Sequence, residues 1–191
     1  MAETPGRRER KKAATRRTIA DAALRLFFER GYDAVGIRDV AAEADVAVTT
    51  LFSHFASKEA LVFDQDESVE RRLVAAATER EPGEGLVAAL RRETHALVRH
   101  CTAGAAADLW RMIDATEALR RYEMAMRRRH AEALAEALAG AAPDHGEVAR
   151  QALARFVVDA FGVARTAEDP AAAVDEVFHM IDAAWTAAGS S

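Results

Sequence analysis

Apolar residues recur at helical spacing along nearly the whole of this 191-residue chain, and this periodicity restricts its fold more than any other feature. Stripes at i, i+3 and i+4 indicate amphipathic helices, whereas half-buried strands need a strict alternation that the chain does not show. Pro82, Pro143 and Pro170 fall in gaps between the apolar-periodic segments, where proline typically begins or ends a helix. The predicted fold class is therefore all-α, with about nine helices.

The boundaries of these helices are predicted from the glycines, prolines and capping residues between the stripes. The predicted spans are roughly 15–30, 37–44, 47–55, 57–80, 86–102, 104–114, 116–139, 145–166 and 171–188. The fourth, with Ser57 as its N-cap, would be roughly 35 Å long, which is enough to link two domains. Gly140 is expected to close the seventh helix. The eighth is apolar around much of its circumference, which predicts burial on more than one side.

Charge is distributed unevenly along the chain. Residues 1–61 contain 11 Lys+Arg and 9 Asp+Glu, a net charge of +2, whereas residues 62–191 contain 15 and 22, a net charge of −7. A basic run at the N-terminus contains Arg7, Arg8, Arg10, Lys11, Lys12, Arg16 and Arg17. Such a run is usually a solvated tail, but beside a DNA-binding motif a role on phosphates is favoured.

A single cysteine, Cys101, excludes an internal disulfide and a multi-cysteine metal site, and it fits a reducing cytoplasmic compartment. No apolar stretch approaches the roughly 20 residues needed to cross a bilayer. The basic N-terminus lacks the apolar core of a signal peptide. We therefore expect a cytoplasmic protein with no membrane partner.

Residues 15–61 have the pattern of a helix-turn-helix, in which two short helices joined by a tight turn pack on a longer first helix. Ala41 is small where the two short helices approach each other. Asp45 stands at the turn, where a left-handed backbone is expected and Asp tolerates it better than most residues. Val46 and Leu51 are expected to bury the turn.

The same stretch resembles the DNA-binding domain of the TetR family. The matching motifs are Ala-Leu-x-Leu-Phe-x-x-x-Gly-Tyr, Val-Ala-x-x-Ala-x-Val and Thr-Leu-Phe-x-His-Phe-x-Ser-Lys-Glu-x-Leu. The resemblance implies an N-terminal three-helix helix-turn-helix domain with a basic arm over 1–61, and a C-terminal helical ligand-binding and dimerisation domain over 62–191. It also implies a transcriptional repressor that binds double-stranded DNA at a palindromic operator as a homodimer. A small, largely apolar effector would release it.

Under this resemblance the third helix is the recognition helix in the major groove, and basic residues around it contact phosphates. The implied DNA-binding residues are Arg16, Arg17, Arg38, Val48, Thr49, Thr50, Phe52, Ser53, His54 and Lys58. The alternative for His54 is a capping or packing role. The chain departs from the family pattern at Gly36 and Ala47, which remove side-chain caps, at Phe52 in place of Tyr, and at Asp45 in place of Gly.

The predictions for the C-terminal domain also follow from the resemblance, because in this architecture the fourth to eighth helices enclose the effector and the last two form the dimer. The implied ligand-binding residues are Thr94, Leu97, Cys101, Trp110, Ile113, Tyr122, Met126 and Phe156. The implied dimer contacts, which also include Phe156, are Phe161, Val174, Val177, Phe178, Ile181 and Trp185. The segment from Asp108 to Ala139 resembles actinobacterial TetR-type regulators that sense acyl-CoA-like ligands.

The sequence allows three other interpretations. His95 and His100 lie about 140° apart around a helix, so they and Cys101 do not form a metal site, and no cofactor is expected. An enzyme is disfavoured because no nucleophile triad or phosphate-binding glycine loop occurs. A DNA-binding protein without small-molecule control remains the third alternative, and the large second domain argues against it.

Overall fold

The computed structural model describes residues 6–64 and 66–189, and within these ranges the chain is helical and contains no strand. The elements are α1 (Arg7–Arg30), α2 (Ile37–Glu43), α3 (Val48–His54), a 3₁₀ turn (Glu59–Leu61), α4 (Asp66–Thr78), α5 (Leu86–Cys101), α6 (Ala105–Ala115), α7 (Glu117–Ala141), α8 (Glu147–Arg165) and α9 (Pro170–Ala188). The all-α fold class that the periodicity predicts is confirmed.

Backbone contacts divide the chain into two compact units, Met1–Asp64 and Gln65–Ser191. The predicted boundary lies three residues earlier, at 61/62. Val62 and Phe63 are buried apolar residues that the contacts assign to the first unit.

The first unit is a three-helix domain in which α1 packs on α2 and α2 packs on α3. Leu26 and Phe27 of α1, Val40 of α2 and Leu51 of α3 are buried in its interior. Each short helix therefore turns an apolar side toward the interior of the unit, with Val40 and Ala41 on α2 and Leu51 on α3. The seven residues of α3 are too few to form a stable helix alone, so this packing holds α3 in place.

The turn between α2 and α3 is a left-handed helix ending centred on Asp45, whose φ is 51°. The Val46 N–H donates to the Ala41 carbonyl at 2.9 Å, and the Asp45 N–H donates to the Ala42 carbonyl at 3.2 Å. This pair of bonds is the Schellman motif, which normally places glycine at the left-handed position. The sequence-based expectation for Asp45 agrees with this geometry, and the aspartate leaves the turn intact.

The first helix begins at Arg7, eight residues earlier than the apolar stripe indicated. The Glu9 carboxylate accepts a hydrogen bond from the Gly6 N–H at 3.0 Å and so satisfies a donor at the helix start. Arginine, lysine and alanine are strong helix formers, and the added turns need no apolar face of their own. The basic run therefore belongs to a helix, and the expectation of an arm was wrong for Arg7 onward.

The long linking helix over 57–80 was also wrong. Ser57 accepts a hydrogen bond from the Ala60 N–H at 3.3 Å, but the turn that follows is only the 3₁₀ segment at Glu59–Leu61. Leu61, Val62 and Phe63 are all buried, and three successive side chains 100° apart cannot share one face of an α-helix. The α-helix resumes at Asp66 and is 13 residues long.

The second unit has its apolar core among α4, α5, α7, α8 and α9, and α6 packs against α5 and α7. Pro170 occupies the first turn of α9, and the Asp169 carboxylate caps that helix by accepting hydrogen bonds from the N–H groups of Ala171 and Ala172. The seventh helix continues through Gly140 to Ala141, contrary to the expected ending. It stops there because Pro143 disfavours a helical conformation at Ala142.

The outer face of α8 is apolar and exposed in the single chain, so the prediction that this helix is buried on more than one side depends on a second subunit and stays a prediction. Val148, Phe156 and Val163 are 81%, 54% and 57% exposed. The opposite face, with Leu153 and Val157, lies in the core. One face of α8 is thus apolar without a covering element among the described residues.

The apolar stripe of α9 faces the core of its own unit. Val174, Phe178 and Ile181 are buried, so the prediction that they contact a second subunit was wrong. The other predicted dimer contacts pack against the same core: Phe161, Val177 and Trp185. The stripe was assigned correctly to a helix face, but α5 and α8 already cover that face.

In the described ranges, no helix is both long enough and apolar enough to cross a bilayer.

Candidate nucleic-acid interface and internal cavity

The third helix exposes most of its circumference while a single side chain anchors it. Leu51 is buried completely, and on the far side of the helix Thr49, Phe52 and Ser53 are exposed. Val48 and Thr50 are half-buried at its flanks. An exposed helix of two turns, held by one apolar face, has the shape that enters the major groove of duplex DNA.

The exposed side chains of α3 offer both polar and apolar contacts. The Ser53 hydroxyl donates to the Thr50 carbonyl at 2.7 Å, which leaves its oxygen able to accept from a base or another donor. Phe52 is 52% exposed, an unusual exposure for an aromatic ring. A ring in that position can contact a thymine methyl group but cannot donate a hydrogen bond to phosphate.

Arg16 connects α1 to the end of α3. Its Nη1 donates to the His54 carbonyl at 2.7 Å, its Nε pairs with Asp64 at 2.7 Å, and its guanidinium lies 4.4 Å from the centre of the Phe55 ring. The His54 carbonyl is one of the helix-terminal acceptors that have no partner within a helix. The sequence analysis expected Arg16 on DNA, whereas in the structure it fixes the C-terminal end of α3.

Lys58 is directed into the first unit. Its Nζ donates to the Tyr32 carbonyl at 2.5 Å and lies 4.0 Å from the centre of the Tyr32 ring. Desolvation lowers the pKa of Lys58, although Asp33 and Glu59 act in the opposite direction. Tyr32 also donates to Glu59 at 3.1 Å, and its pKa is raised by burial and by that carboxylate. The expected long fourth helix does not start at this point, and the Lys58 ammonium group bonds within its own unit, while its contact with phosphate stays a prediction.

His54 is half-buried at the end of α3 and favours its neutral form. Burial lowers its pKa first, and the charges of Lys12 and Arg16 lower it further. Its Nδ1 is buried without a hydrogen-bond partner among the described residues. A neutral imidazole is not a phosphate-binding cation, so the packing alternative for His54 fits its surroundings better than the DNA-contact prediction.

Arg17 and Arg38, both from the predicted set, are exposed, and so is Lys12. Lys12 is missing from that set although its charge acts on His54, which places it near the end of α3. The basic run was the available signal, but treating it as an arm hid the position of its individual residues.

A helix cap explains how the fold tolerates one of the two departures from the family pattern at helix starts. At Gly36 the reciprocal half of a capping box survives, since the Asp39 carboxylate accepts from the Gly36 N–H at 2.7 Å. At Ala47 no side chain in the described ranges caps α3. The start of α3 therefore has backbone N–H groups available to a ligand.

The second unit encloses a small cavity of about 60 Å³ among α4, α5, α6, α7 and α8. Five predicted ligand-binding residues line it: Thr94, Leu97, Cys101, Trp110 and Met126. Ile113, Tyr122 and Phe156 do not line the cavity, and their contact with a ligand stays a prediction. Ile113 is buried, and Phe156 belongs to the exposed face of α8.

Charged and polar residues of α7 also line the cavity, and sequence reasoning missed them. They are Glu123, Arg127 and His130, at the i, i+4 and i+7 positions of one helix face that Met126 shares. This spacing was visible in the sequence. The arginine-rich composition of the segment is also typical of a solvated helix face.

Cys101 has the character of a buried thiol. Burial raises its pKa, and this outweighs the lowering by the hydrogen bond with Trp110. A raised pKa disfavours the thiolate, which is the reactive form. Across residues 6–64 and 66–189, no three His, Cys, Asp or Glu side chains are arranged to hold a metal ion.

Residues 19–64 match the family described as bacterial regulatory proteins, tetR family. A curated relative, the HTH-type transcriptional regulator TcmR of Streptomyces glaucescens, is 34% identical over 86 residues. That alignment covers 45% of this chain and 38% of the relative's own length.

Two solved structures share the fold over nearly the whole chain. A TetR-family regulator from Streptomyces coelicolor A3 has a TM-score of 0.66 at 20% identity and covers 97% of this chain and 99% of its own. The TetR family repressor AlkX from Dietzia sp. has a TM-score of 0.63 at 21% identity and covers 90% of this chain and 97% of its own. The matched family and these relatives are regulators and not enzymes. Residues 19–64 thus match the tetR-family model, and the helical fold of the chain is similar to that of solved TetR-family structures.

Proposed function

We propose that this chain is a DNA-binding transcriptional repressor that recognises a palindromic operator as a homodimer and is released by a small, largely apolar effector. The observation that carries the proposal is the exposed face of α3, with Thr49, Phe52 and Ser53, on a helix whose ends are held by the Asp45 turn and by Arg16.

Contacts to bases and contacts to phosphates are divided among different residues. Thr49 and Ser53 supply hydroxyls to base edges, and Phe52 supplies apolar contact to thymine. Lys12, Arg17 and Arg38 supply charge to the phosphates, which positions the domain without selecting the sequence.

The dimer is proposed to form through the exposed apolar faces of the last two helices. On α8 these residues are Val148, Phe156 and Val163, and on α9 the exposed apolar side chain is Met180, which is followed by exposed alanines at 183, 184 and 187. Exposed apolar area of this kind on a helix pair is typical of a subunit interface. A two-fold dimer would present two recognition helices to half-sites about 34–36 Å apart, or a multiple of that distance.

The effector site is proposed to be the cavity lined by Leu97, Trp110 and Met126. An effector that binds more tightly to the dimer conformation with low DNA affinity shifts the population toward that conformation. DNA must then weaken effector binding by the same factor by which the effector weakens DNA binding.

The experiment is a DNA-binding titration with the full chain. Duplexes bound by the wild type are first selected from a random library, and the dissociation constant for the selected duplex is then measured by fluorescence anisotropy. Thr49→Ala is expected to weaken binding by about tenfold, in keeping with one lost base contact.

Thr78→Ala is the matched control, because Thr78 is exposed in α4 and its hydroxyl bonds to its own helix, at the Val74 carbonyl. It should bind like the wild type. If no duplex is selected, or if Thr49→Ala binds as tightly as Thr78→Ala, the proposed role of α3 is wrong.

A further inference from the structure

The cavity of the second unit has apolar walls and one strongly charged side. Leu73, Leu97, Val157 and Phe161 contribute apolar surface, and Trp110 packs on Phe161 with ring centres 5.6 Å apart. The charged side consists of Glu123 and Arg127 of α7. A wall of this composition fits a ligand with an apolar body and one charged or strongly polar group.

Two guanidinium groups share the buried carboxylate. Glu123 is only 5% exposed, and its Oε1 lies 2.6 Å from Nη2 of Arg127 and 3.9 Å from Nη2 of Arg165. Arg165 lies over the Trp110 ring at 4.2 Å and is paired with Asp114 at 2.8 and 3.0 Å. The side chain of Asp114 is 45% exposed, so water screens its charge. In the buried part of the cluster, two positive charges therefore face one negative charge.

The same cluster has more hydrogen-bond donors than acceptors. The Nε atoms of Arg127 and Arg165 are buried, and neither has a hydrogen-bond partner within residues 6–64 and 66–189. Buried donors without acceptors are uncommon because each loses its bond to water and gains nothing in return. An acceptor oxygen brought by a ligand would remove this deficit.

We propose, on the basis of the effector-binding function proposed above, that the effector is a lipophilic acid whose anionic oxygen pairs with Arg127. When Arg127 turns to the ligand, Glu123 keeps Arg165 as its cation and is not left as an isolated buried charge. A cationic ligand would have to take Glu123 from Arg127 and would leave that guanidinium half-buried without a counter-ion. The exchange of partners favours an anion.

Arg127 also controls the size of the site. A cavity of about 60 Å³ has the volume of about two water molecules, far below the roughly 300 Å³ of small ligand sites. Between α7 and α8 lies an open groove of about 930 Å³, and Arg127 and Val158 line both this groove and the cavity. These two side chains therefore form the partition between the cavity and the groove. Of the two, Arg127 has the more flexible side chain.

Gly162 provides the room for the closed position of Arg127. A Cβ at residue 162 would collide with Nη1, Nη2 and Cζ of the Arg127 guanidinium. These atoms are the far end of a flexible side chain, so an alanine at this position would displace the guanidinium and leave the α8 backbone in place. Displacement of Arg127 joins the cavity to the groove and creates space for the ligand.

The test compares two fluorescent probes with the same apolar body, 8-anilino-1-naphthalenesulfonate and the uncharged N-phenyl-1-naphthylamine, in titrations of the full chain. The sulfonate should bind the wild type more tightly than the uncharged probe by about tenfold or more, as expected for one charge-assisted hydrogen bond. Arg127→Gln should abolish this preference and leave the affinity for the uncharged probe within about twofold. The control Arg128→Gln alters an exposed arginine that pairs with Glu132 on the same helix, and it should retain the preference.

Equal affinities of the wild type for the two probes, or an unchanged preference in Arg127→Gln, would overturn the proposal. Loss of the preference in Arg128→Gln as well would overturn it too, since general surface charge would then be the cause. If Arg127→Gln loses its near-ultraviolet circular dichroism, Gly162→Ala decides the question. We expect it to increase the association rate of the sulfonate severalfold, and an unchanged rate would refute the partition.

These titrations contain no DNA. A negative result in them therefore leaves the operator-binding experiment intact, and failure to select a duplex leaves the probe preference intact.

Discussion

Replacing Arg16 with methionine tests whether this residue holds α3 in place or contacts DNA. Methionine keeps much of the aliphatic length but removes the hydrogen bond to the His54 carbonyl, the ion pair with Asp64 and the contact with the Phe55 ring. Typical values are about 1.5–3 kcal/mol for a charge-assisted hydrogen bond, 0.2–1 for an exposed ion pair and 0.5–1 for an exposed cation–π contact. Arg16 and Asp64 are 35% and 22% exposed, so each contribution falls at the low end and we expect a loss of about 2 kcal/mol.

Hydrogen exchange of the α3 amides in the full chain measures this loss directly, since both tryptophans belong to the second unit and do not report on the first. A loss of 2 kcal/mol in local stability corresponds to exchange about thirtyfold faster over residues 48–55. Amides of α5 should exchange as in the wild type. DNA affinity should fall because α3 frays, while the slope of affinity against salt stays the same.

Arg17→Met is the matched control, because Arg17 is the neighbouring residue in α1 and is exposed. It should leave α3 exchange unchanged and reduce the salt slope by about one, as expected for one lost phosphate contact. Wild-type exchange rates in α3 of Arg16→Met would refute the reasoning, and so would equal acceleration in both variants.

Two further predictions concern the dimer and the pH response. Phe156→Glu places a charge in the exposed apolar face of α8, and we expect this variant to be a monomer by sedimentation velocity. The control Met124→Glu changes a similarly exposed apolar residue of α7 and should stay dimeric. A dimeric Phe156→Glu would contradict the proposed interface. Because the pKa of folded His54 lies below its ordinary value of 6.5, the unfolded chain binds more protons between those two values. The first unit should therefore be fully stable above pH 6.5 and should lose stability as the pH falls from 6.5 through the pKa of folded His54. Hydrogen exchange of the α3 amides, corrected for intrinsic rates, measures this loss, and His54→Gln should reduce the pH dependence. If His54→Gln shows the same pH dependence as the wild type, another group is responsible.

The sequence by itself determined the class of fold and the local signals that start, turn and end most of the helices. Periodicity placed nearly all of the helices, because one apolar face per helix is a requirement that any packed all-α chain must meet. Asp45 was recognised at its turn because the left-handed conformation is a local property of the backbone. Five cavity residues were identified because they belong to helix faces that the family resemblance had already assigned to the interior.

Only the tertiary structure decided what each face and each long side chain contacts. The apolar stripe of α9 indicated burial, but a stripe does not reveal whether its own unit or a second subunit covers it, and here Val174 and Phe178 face their own core. Arg16 and Lys58 are cations in a DNA-binding motif, yet both reach backbone carbonyls of their own unit. Arg127 depends on a glycine 35 positions away in α8 for its room. The physical reason is the same in each case: a helix face follows from neighbours three and four residues along the chain, whereas the partner of a long flexible side chain depends on the packing of segments distant in sequence.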